Sequence, residues 1–327
     1  MTISQCKGIG WALVSVFFWG TMFPVGRFLV AGDRVDPAVL GLLRFAIGGA
    51  LLFGSGMLIC RERMFQLRRA DWLRLPFQGL VGAALMALFL FVAQREVPVI
   101  NASMLEAIVP LQIFVIGLCC GRRGSLLQFA GLAAGFIGCL LVLRILSADG
   151  IALKSLKFGD LLIFLSGLCW AVYTVWGREA SNRLGGWVFS SWTVLWGAAW
   201  LGVYLCFQPG PLRWPSGWIS WGWVIYFAIG PTALAFYGWN RAQHYISLAL
   251  LGLNEYFVPM LAAAFGFLFL GERITPLQLL GSVAIVGAVL IEPDLLPRKS
   301  SRSPVISWPG VLSHHRTCRS AYGGSAA

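Results

Sequence analysis

Long apolar runs separated by short polar stretches dominate the pattern of this chain. We identify ten mostly hydrophobic runs of about 18 to 25 residues, close to the ~20 residues with which an α-helix crosses ~30 Å of hydrocarbon. They cover residues 9–30, 37–59, 72–93, 99–119, 125–146, 159–180, 187–207, 217–239, 246–270 and 275–292. A transmembrane β-barrel has short alternating segments instead. The pattern therefore predicts an all-α integral membrane protein with ten transmembrane helices.

Composition and charge agree with this fold class and suggest an orientation. Of the 327 residues, 58% are hydrophobic and 12% are charged, which is far too apolar for a soluble domain of this length. The first run is longer than the apolar part of a signal peptide, so we expect it to be retained. We assign sixteen basic residues to the side of the N-terminus and seven to the other side. Because basic residues favour the cytoplasmic side, we expect a multi-pass protein of the bacterial inner membrane with both termini in the cytoplasm.

The two halves of the chain repeat one another at a nearly constant distance. An offset of 151 relates Trp19, Gly26 and Arg27 to Trp170, Gly177 and Arg178, and an offset of 149 relates Glu106 and Pro110 to Glu255 and Pro259. Each half holds five runs. Since an odd number of helices inserts the second copy upside down, the chain is predicted to be an inverted-topology repeat.

These offsets and the composition divide the chain into four parts. We predict a first five-helix repeat at 1–146, a linker at 147–158 and a second five-helix repeat at 159–292. The remaining residues, 293–327, are rich in Pro, Ser and basic residues and show no apolar periodicity. We therefore expect a disordered cytoplasmic tail there.

Three charged residues within the apolar runs, away from the ends of those runs, are candidates for a pathway. They are Arg44, Glu106 and Glu255. Because a charge at the centre of a membrane helix costs at least ~2.5 kcal/mol, such residues usually face the interior of the bundle and mark a pathway. Counting along the helices places both carboxylates near the midplane, and Arg44 at the depth of Glu106. We expect Arg44 to pair with Glu106, leaving Glu255 as the proton carrier; the alternatives are a purely structural ion pair and a structural hydrogen bonder at Glu255.

Aromatic and amide side chains add a second group of candidates for a substrate or proton pathway. Packing or anchoring at the membrane interface is the alternative for each of them. They are Trp19, Trp170, Tyr173, Asn101, Asn254 and Asn240. Pro110 and Pro259 each follow a carboxylate by four residues and are hinge candidates, since proline loosens the hydrogen-bond ladder of a helix.

Residues typical of enzymes and pumps are few. The histidines are His244, His314 and His315, and they form no metal-binding or hydrolase motif. The chain also has no phosphate-binding loop of the Gly-Lys-Ser/Thr type. We therefore expect no metal, no cofactor, no nucleic acid and no enzymatic activity.

Several stretches are similar to the EamA-type branch of the drug/metabolite transporter superfamily. They are WGTMFPVGR in the first run, LRFAIGGALL in the second, and GERITPLQLLGSVAIVGAVL across the last two. The resemblance implies two inverted five-helix repeats around a central cavity, lined mainly by helices 1, 3, 4, 6, 8 and 9, and alternating access.

Taken together, these patterns predict a secondary transporter of small metabolites. We expect an exporter of amino acids or amphipathic compounds, with proton coupling through Glu255 or Glu106. An uncoupled facilitator of the same fold is the first alternative, and a membrane-embedded enzyme that uses the two carboxylates is the second. The substrate, the direction of transport and the choice between monomer and homodimer stay open.

Overall fold

The computed structural model describes residues 2–32, 34–97, 102, 105–122, 124–142, 146–147, 150–151, 158–261 and 275–291. Asn101 and the predicted tail at 293–327 lie outside the described residues. So does most of the predicted linker, and so does the Gly-Glu-Arg turn at 271–273.

The described chain is built from apolar helices. In chain order they are α1 (Ile3–Val30), α2 (Pro37–Ile59), α3 (Asp71–Ala93), α4 (Val109–Cys119), α5 (Leu126–Val142), α6 (Phe158–Leu184), α7 (Gly186–Cys206), α8 (Gly217–Ala242), α9 (Leu248–Leu261) and α10 (Pro276–Leu290). Six helices in the described part, α1, α2, α3, α6, α7 and α8, are long and apolar enough to cross a membrane, and the other four are shorter. A one-turn helix (Arg61–Met64) precedes α3.

Helix boundaries follow the apolar runs closely, with differences at the ends. Helix α1 begins six residues earlier than predicted because Thr2 and Gln5 form a capping box that satisfies free backbone N–H groups. Helix α5 ends at Val142, and two short antiparallel strands follow it, β1 (Leu146–Ser147) and β2 (Gly150–Ile151). The prediction of a helix up to residue 146 is wrong at this hairpin, while the fold class stays all-helical.

Two helices contain a stretch of π-helix at repeat-related positions. The stretch covers Leu80–Leu85 in α3 and Ala228–Leu234 in α8. In α8, Pro231 lies within the stretch and has no N–H to donate, so the normal hydrogen-bond ladder cannot continue through it. In α3 the same geometry forms without proline. We infer that the duplication, and not proline alone, sets the position of these stretches.

A serine on the neighbouring helix supports each π stretch at its end. The Ser15 hydroxyl of α1 donates to the Ala235 carbonyl at 2.8 Å, and the Ser166 hydroxyl of α6 donates to the Met86 carbonyl at 2.9 Å. All four residues are buried, where an unpaired carbonyl is costly. The two bonds attach α1 to α8 and α6 to α3 in equivalent ways.

Helix packing repeats the same twofold pattern. Helix α1 packs on the second half of α8 as α6 packs on the second half of α3, and in the pairs α2–α7 and α5–α10 each helix packs on its own repeat equivalent. Between α5 and α10, a Cβ atom on Gly281 would lie 2.5 Å from the Gly138 carbonyl oxygen. Only glycine permits so close a backbone contact at this position.

At each end of the helix bundle, an aspartate connects polar segments that are distant in sequence. At one end, the Asp36 carboxylate accepts from the Arg95 guanidinium and from the Arg213 backbone N–H, both at 2.6 Å. At the other end, Asp71 pairs with Arg183. The positive-inside count assigned Arg95 and Arg213 to one side and Arg183 to the other, so residues predicted to share a face do contact each other.

Candidate functional site

Glu255 lies where α9 departs from regular helix. Residues Asn254–Tyr256 form a 3₁₀ turn. Pro259 comes four residues after Glu255 and has no N–H, so the Glu255 carbonyl cannot form its normal helical hydrogen bond. Glu255 therefore lies at the point where the regular helix is interrupted.

Helix α4 has the same arrangement around Glu106. The turn before α4 is 3₁₀-like, with the Ile108 N–H donating to the Leu105 carbonyl at 3.1 Å, and regular helix begins at Val109. Pro110 removes the helical partner of the Glu106 carbonyl. Both prolines are thus placed beside interruptions. Their role as hinges stays a prediction.

The helices beside the two carboxylates pack on each other. Glu255 is 7% exposed and Glu106 is half-buried, and α4, which begins three residues after Glu106, packs on α9 and on its 3₁₀ turn. The Trp170 indole N–H donates to Glu255 Oε1 at 2.9 Å. No described residue donates a hydrogen bond to the Glu106 side chain. Two acidic groups therefore share one apolar region, and only one of them has a neutral donor.

An aromatic cluster adjoins Glu255. Trp19 and Trp170 meet edge to face with ring centroids 4.8 Å apart, and Tyr173 stacks on Trp170 at 5.1 Å. Phe236 and Trp239 of α8 complete it, 5.4 and 5.6 Å from the Trp170 ring. Sequence analysis missed these last two residues. Their spacing of three places them on one helix face with each other, which is the signal that identifies them.

A hydrogen-bond network extends from this cluster along α8. The Asn240 side-chain amide donates to the Tyr173 hydroxyl at 2.8 Å and to the Ser190 hydroxyl at 2.9 Å, and the Gln243 side-chain amide donates to Asn240 Oδ1 at 3.2 Å. The Tyr173 hydroxyl also lies 3.3 Å from Thr193 Oγ1. Buried polar groups that are satisfied in this way hold one defined geometry.

Asn254 is placed differently from Asn240. Its amide donates locally, to the Leu250 carbonyl at 2.7 Å, while its side-chain oxygen is buried without a partner in the described structure. A buried amide oxygen without a partner costs ~1–3 kcal/mol. Asn254 is therefore a polar group beside Glu255 that can still accept a hydrogen bond.

Arg44 does not pair with Glu106, and this sequence prediction is wrong. Its guanidinium donates to Thr232 Oγ1 at 2.9 Å and to the Pro231 carbonyl at 3.3 Å. Within the described residues, none of the ion pairs involves Arg44. Counting along a helix gives depth but not direction, and the packing of α2 against α7 and α8 turns Arg44 towards the π stretch of α8. The prediction that Glu255 alone carries the proton depended on an ion pair between Arg44 and Glu106, so it has lost its basis.

Aromatic rings take the place of a carboxylate partner for Arg44. The guanidinium carbon lies 4.7 Å from the Phe45 ring centroid, 5.6 Å from that of Phe91 and 5.5 Å from that of Phe227. Such cation–π contacts stabilise a desolvated cation by up to about 2 kcal/mol each. Arg44 thus clamps α2 to the irregular part of α8.

Outside the apolar helices, His244 lies between α8 and α9. Burial lowers the pKa of His244 below its ordinary value of 6.5, and the positive charges of Arg241 and Arg178 lower this pKa further. A backbone hydrogen bond to Ser181 opposes the shift. The imidazole is therefore neutral near pH 7. In the described part of the chain, no three His, Cys, Asp or Glu side chains gather to hold a metal ion.

Two consecutive stretches of the chain, residues 6–144 and 157–291, match the model of one protein family, described as the EamA-like transporter family. The chain belongs to the EamA-like transporter family. Together with its apolar helices, this membership makes it a multi-pass membrane protein that transports a small molecule. Family membership makes the protein a transporter and excludes the alternative of a membrane-embedded enzyme that uses the two carboxylates.

Individual proteins agree with the family. The chain is 26% identical over 302 residues to a probable terminal-alkyne amino-acid exporter of Streptantibioticus cattleyicolor, covering 90% of this chain and 96% of that protein. It is 27% identical over 264 residues to the aromatic amino acid exporter YddG of Ancylobacter novellus, covering 80% and 88%. One crystal structure of a protein aligns with a TM-score of 0.70 and 24% identity over 89% of this chain and 96% of that one, which shows a shared fold.

Proposed function

We propose that this EamA-like transporter exports amino acids or similar amphipathic metabolites by alternating access, in exchange for protons. The names of the two relatives support the substrate class and the direction, since both are described as amino-acid exporters. The observation that carries the proposal is the pair of acidic side chains, Glu106 and Glu255, which lie at proline-linked interruptions of two helices that pack on each other, with Glu255 hydrogen-bonded to the aromatic cluster.

Exchange follows from the chemistry of two close carboxylates. When both are ionised in an apolar region they repel each other, and a cation between them relieves the repulsion. A proton and the ammonium group of an amino acid are both cations that fit this requirement. Either cation relieves the repulsion between the carboxylates, so the proton and the substrate compete for the site. A proton-for-substrate exchanger requires this competition.

The surrounding residues have proposed roles in the same site. Trp19, Trp170 and Tyr173 offer ring faces and edges to the apolar part of the substrate or to its ammonium group. Asn254 offers its free carbonyl oxygen to the substrate, and Asn240 fixes the Tyr173 hydroxyl. Asn101 stays a candidate from the sequence. Arg44 we assign to holding the helices rather than to the pathway.

The architecture proposed for this activity has ten membrane helices in two inverted five-helix repeats, 1–146 and 159–292, with both termini in the cytoplasm of a bacterial cell. The equivalent π stretches and serine bonds support the repeat. Orientation is tested with single-cysteine variants and an impermeant maleimide on intact cells. We expect labelling at Cys206, which is exposed at the end of α7, and none at the exposed Cys6 until the cells are permeabilised. The reverse pattern would invert the proposed orientation.

Purified protein in liposomes tests the function itself. A thermal-shift screen of amino acids first selects the ligand, since binding to the folded state stabilises it. Counterflow of the labelled ligand and its uptake driven by a pH gradient are then measured. Glu255→Gln and Glu106→Gln should each remove the response to the pH gradient, because an amide neither binds nor releases a proton in this range.

The matched control is Glu179→Gln, the same substitution on an exposed part of α6. Transport by this variant should equal that of the unmodified protein. If pH-driven uptake survives unchanged in Glu255→Gln and Glu106→Gln, the carboxylates are not the coupling site. Counterflow with no response to pH in the unmodified protein would instead indicate an uncoupled facilitator.

A further inference from the structure

Two loops at repeat-related positions each contact both α1 and α6. The first follows α3 and contains Val97; the second follows α8 and contains Ile246. We call the contacts of Val97 with Arg27 and Gly159 the first latch, and the contacts of Ile246 with Arg178 and Gly8 the second latch.

In the first latch, Val97 joins the end of α1 to the beginning of α6. The Arg27 guanidinium donates to the Val97 carbonyl. The Val97 side chain is 1% exposed and packs on Gly159, where an added Cβ atom would lie 2.4 Å from Val97 Cγ2. One residue thus holds two helices, one through its carbonyl and the other through its side chain.

In the second latch, the helices exchange roles. The Arg178 guanidinium of α6 donates to the Ile246 carbonyl at 2.7 Å. The Ile246 side chain is 4% exposed and packs on Gly8 of α1, where an added Cβ atom would lie 2.6 Å from Ile246 Cγ2. The offset of 151 that relates Arg27 to Arg178 also relates Gly8 to Gly159.

The latches close opposite ends of the α1–α6 pair. Gly8 and Arg27 are ~19 residues apart on α1, which corresponds to ~29 Å along the helix axis and to the thickness of the hydrocarbon layer. Trp19 of α1 and Trp170 of α6, whose rings meet beside Glu255, lie between them. Both latches are closed in the structure, and the candidate site lies between them along the α1–α6 pair.

We propose that Val97 and Ile246 are the two gates of the transporter. This inference rests on the proposed alternating access, which requires that one end of the site opens while the other stays closed. Opening a gate releases the carbonyl from its arginine and lifts the side chain from its glycine. The glycines are needed because a larger residue would hold the loop away from the helix.

Reversible cross-links test whether the latches must open. In a background without native cysteines, Gly8→Cys with Ile246→Cys locks the second latch, since the two Cβ atoms would lie 3.5 Å apart, within the range of a disulfide. Val97→Cys with Gly159→Cys locks the first. A matched control, Gly41→Cys with Ala87→Cys, links α2 to α3 within one repeat across a Cβ distance of 3.8 Å.

Counterflow is measured in the reduced, oxidised and re-reduced states, with the cross-linked fraction determined by mass spectrometry. Each latch pair should lose at least ~10-fold in rate on oxidation and recover on reduction, while the control pair keeps its rate. Full counterflow through a completely cross-linked latch would overturn the gating role. Absence of counterflow in the unmodified protein for every ligand that binds would instead count against the proposed function.

A second measurement does not depend on transport. An impermeant carbodiimide, which modifies accessible carboxylates, is added from either face of membrane vesicles, and modification of Glu106 and Glu255 is read by peptide mass spectrometry. Arg27→Gln should increase modification from the Val97 face only, and Arg178→Gln from the Ile246 face only. An equal change from both faces, or no change in either variant, would show that the latches are permanent contacts of the fold.

Discussion

Replacing Gly82 by alanine tests how tightly the aromatic cluster is built. Gly82 lies in the π stretch of α3, and an added Cβ atom would lie 2.1 Å from Tyr173 Cδ2 and 2.2 Å from its Cγ. Carbon atoms in contact are normally ~3.5–4.0 Å apart, so the ring or the helix must move by more than ~1 Å. Tyr173 is fully buried, stacks on Trp170 and accepts from Asn240. It cannot move without disturbing these contacts.

The expected cost follows from the size of this clash. Overpacking a closed core by one methyl group costs ~1–3 kcal/mol. Alanine otherwise gains ~0.5–1 kcal/mol over glycine inside a helix, so the net loss is at the lower part of that range. For a chain of this size, where 1 kcal/mol corresponds to ~1.5 °C, we expect the midpoint of thermal unfolding in detergent to fall by ~1–3 °C. Counterflow should fall as well, because the Trp170–Glu255 hydrogen bond depends on the same rings.

Gly54→Ala is the matched control. Gly54 lies on an exposed face of α2, and an added Cβ atom there meets no atom within 4 Å. This variant should be as stable as the unmodified protein or slightly more so. If Gly82→Ala unfolds at the same temperature as Gly54→Ala, the close approach of Tyr173 to α3 is not a constraint on the fold, and the argument fails.

Three further outcomes are expected. Ser15→Ala and Ser166→Ala each leave a buried carbonyl beside a π stretch, so each should lower the unfolding free energy by ~1–3 kcal/mol and by similar amounts; a loss in only one variant would contradict their equivalence. Arg44→Lys gives up the guanidinium geometry that satisfies two acceptors and three rings, and its unfolding midpoint should fall below that of the unmodified protein, whereas unchanged stability would refute the clamp. At His244 the pKa is lower in the folded than in the unfolded chain, so the stability due to the neutral imidazole is present above pH ~6.5 and is lost as the pH falls below it. His244→Gln should remove that part of the loss between pH 7.5 and 5.5 in thermal unfolding, and an identical pH profile would exclude the effect.

The positions of the helices were predictable from the sequence because the bilayer imposes one dominant rule. A segment that crosses hydrocarbon must be apolar over ~20 residues and must satisfy its own backbone, and both conditions are local. For the same reason a carboxylate such as Glu255 stands out in an apolar run without any knowledge of its neighbours. The helix interruptions at Glu106 and Glu255 were also within reach, since Pro110 and Pro259 act on the carbonyl four residues earlier.

The direction in which a side chain points was not predictable in the same way. Arg44 and Glu106 are predicted to lie at similar depth, yet helix packing turns Arg44 towards Thr232 and the phenylalanine rings. In a helix that is apolar on all sides, periodicity gives no strong preference for one face. Contact partners therefore cannot be predicted from depth alone. Predicting the contact of Trp170 with Glu255 would have required the relative position of helices α6 and α9.

The sequence by itself determined the membrane class, the approximate positions of the apolar helices, the duplication and the presence of two acidic residues within apolar runs. Each of these depends on composition or on spacing along one chain. Only the tertiary structure decided that the helices beside the two carboxylates pack together, that Phe236 and Trp239 join Trp19 and Trp170, and that Val97 and Ile246 each link α1 to α6. These features depend on the rotation and approach of helices far apart in sequence, which are fixed by side-chain packing over the whole bundle.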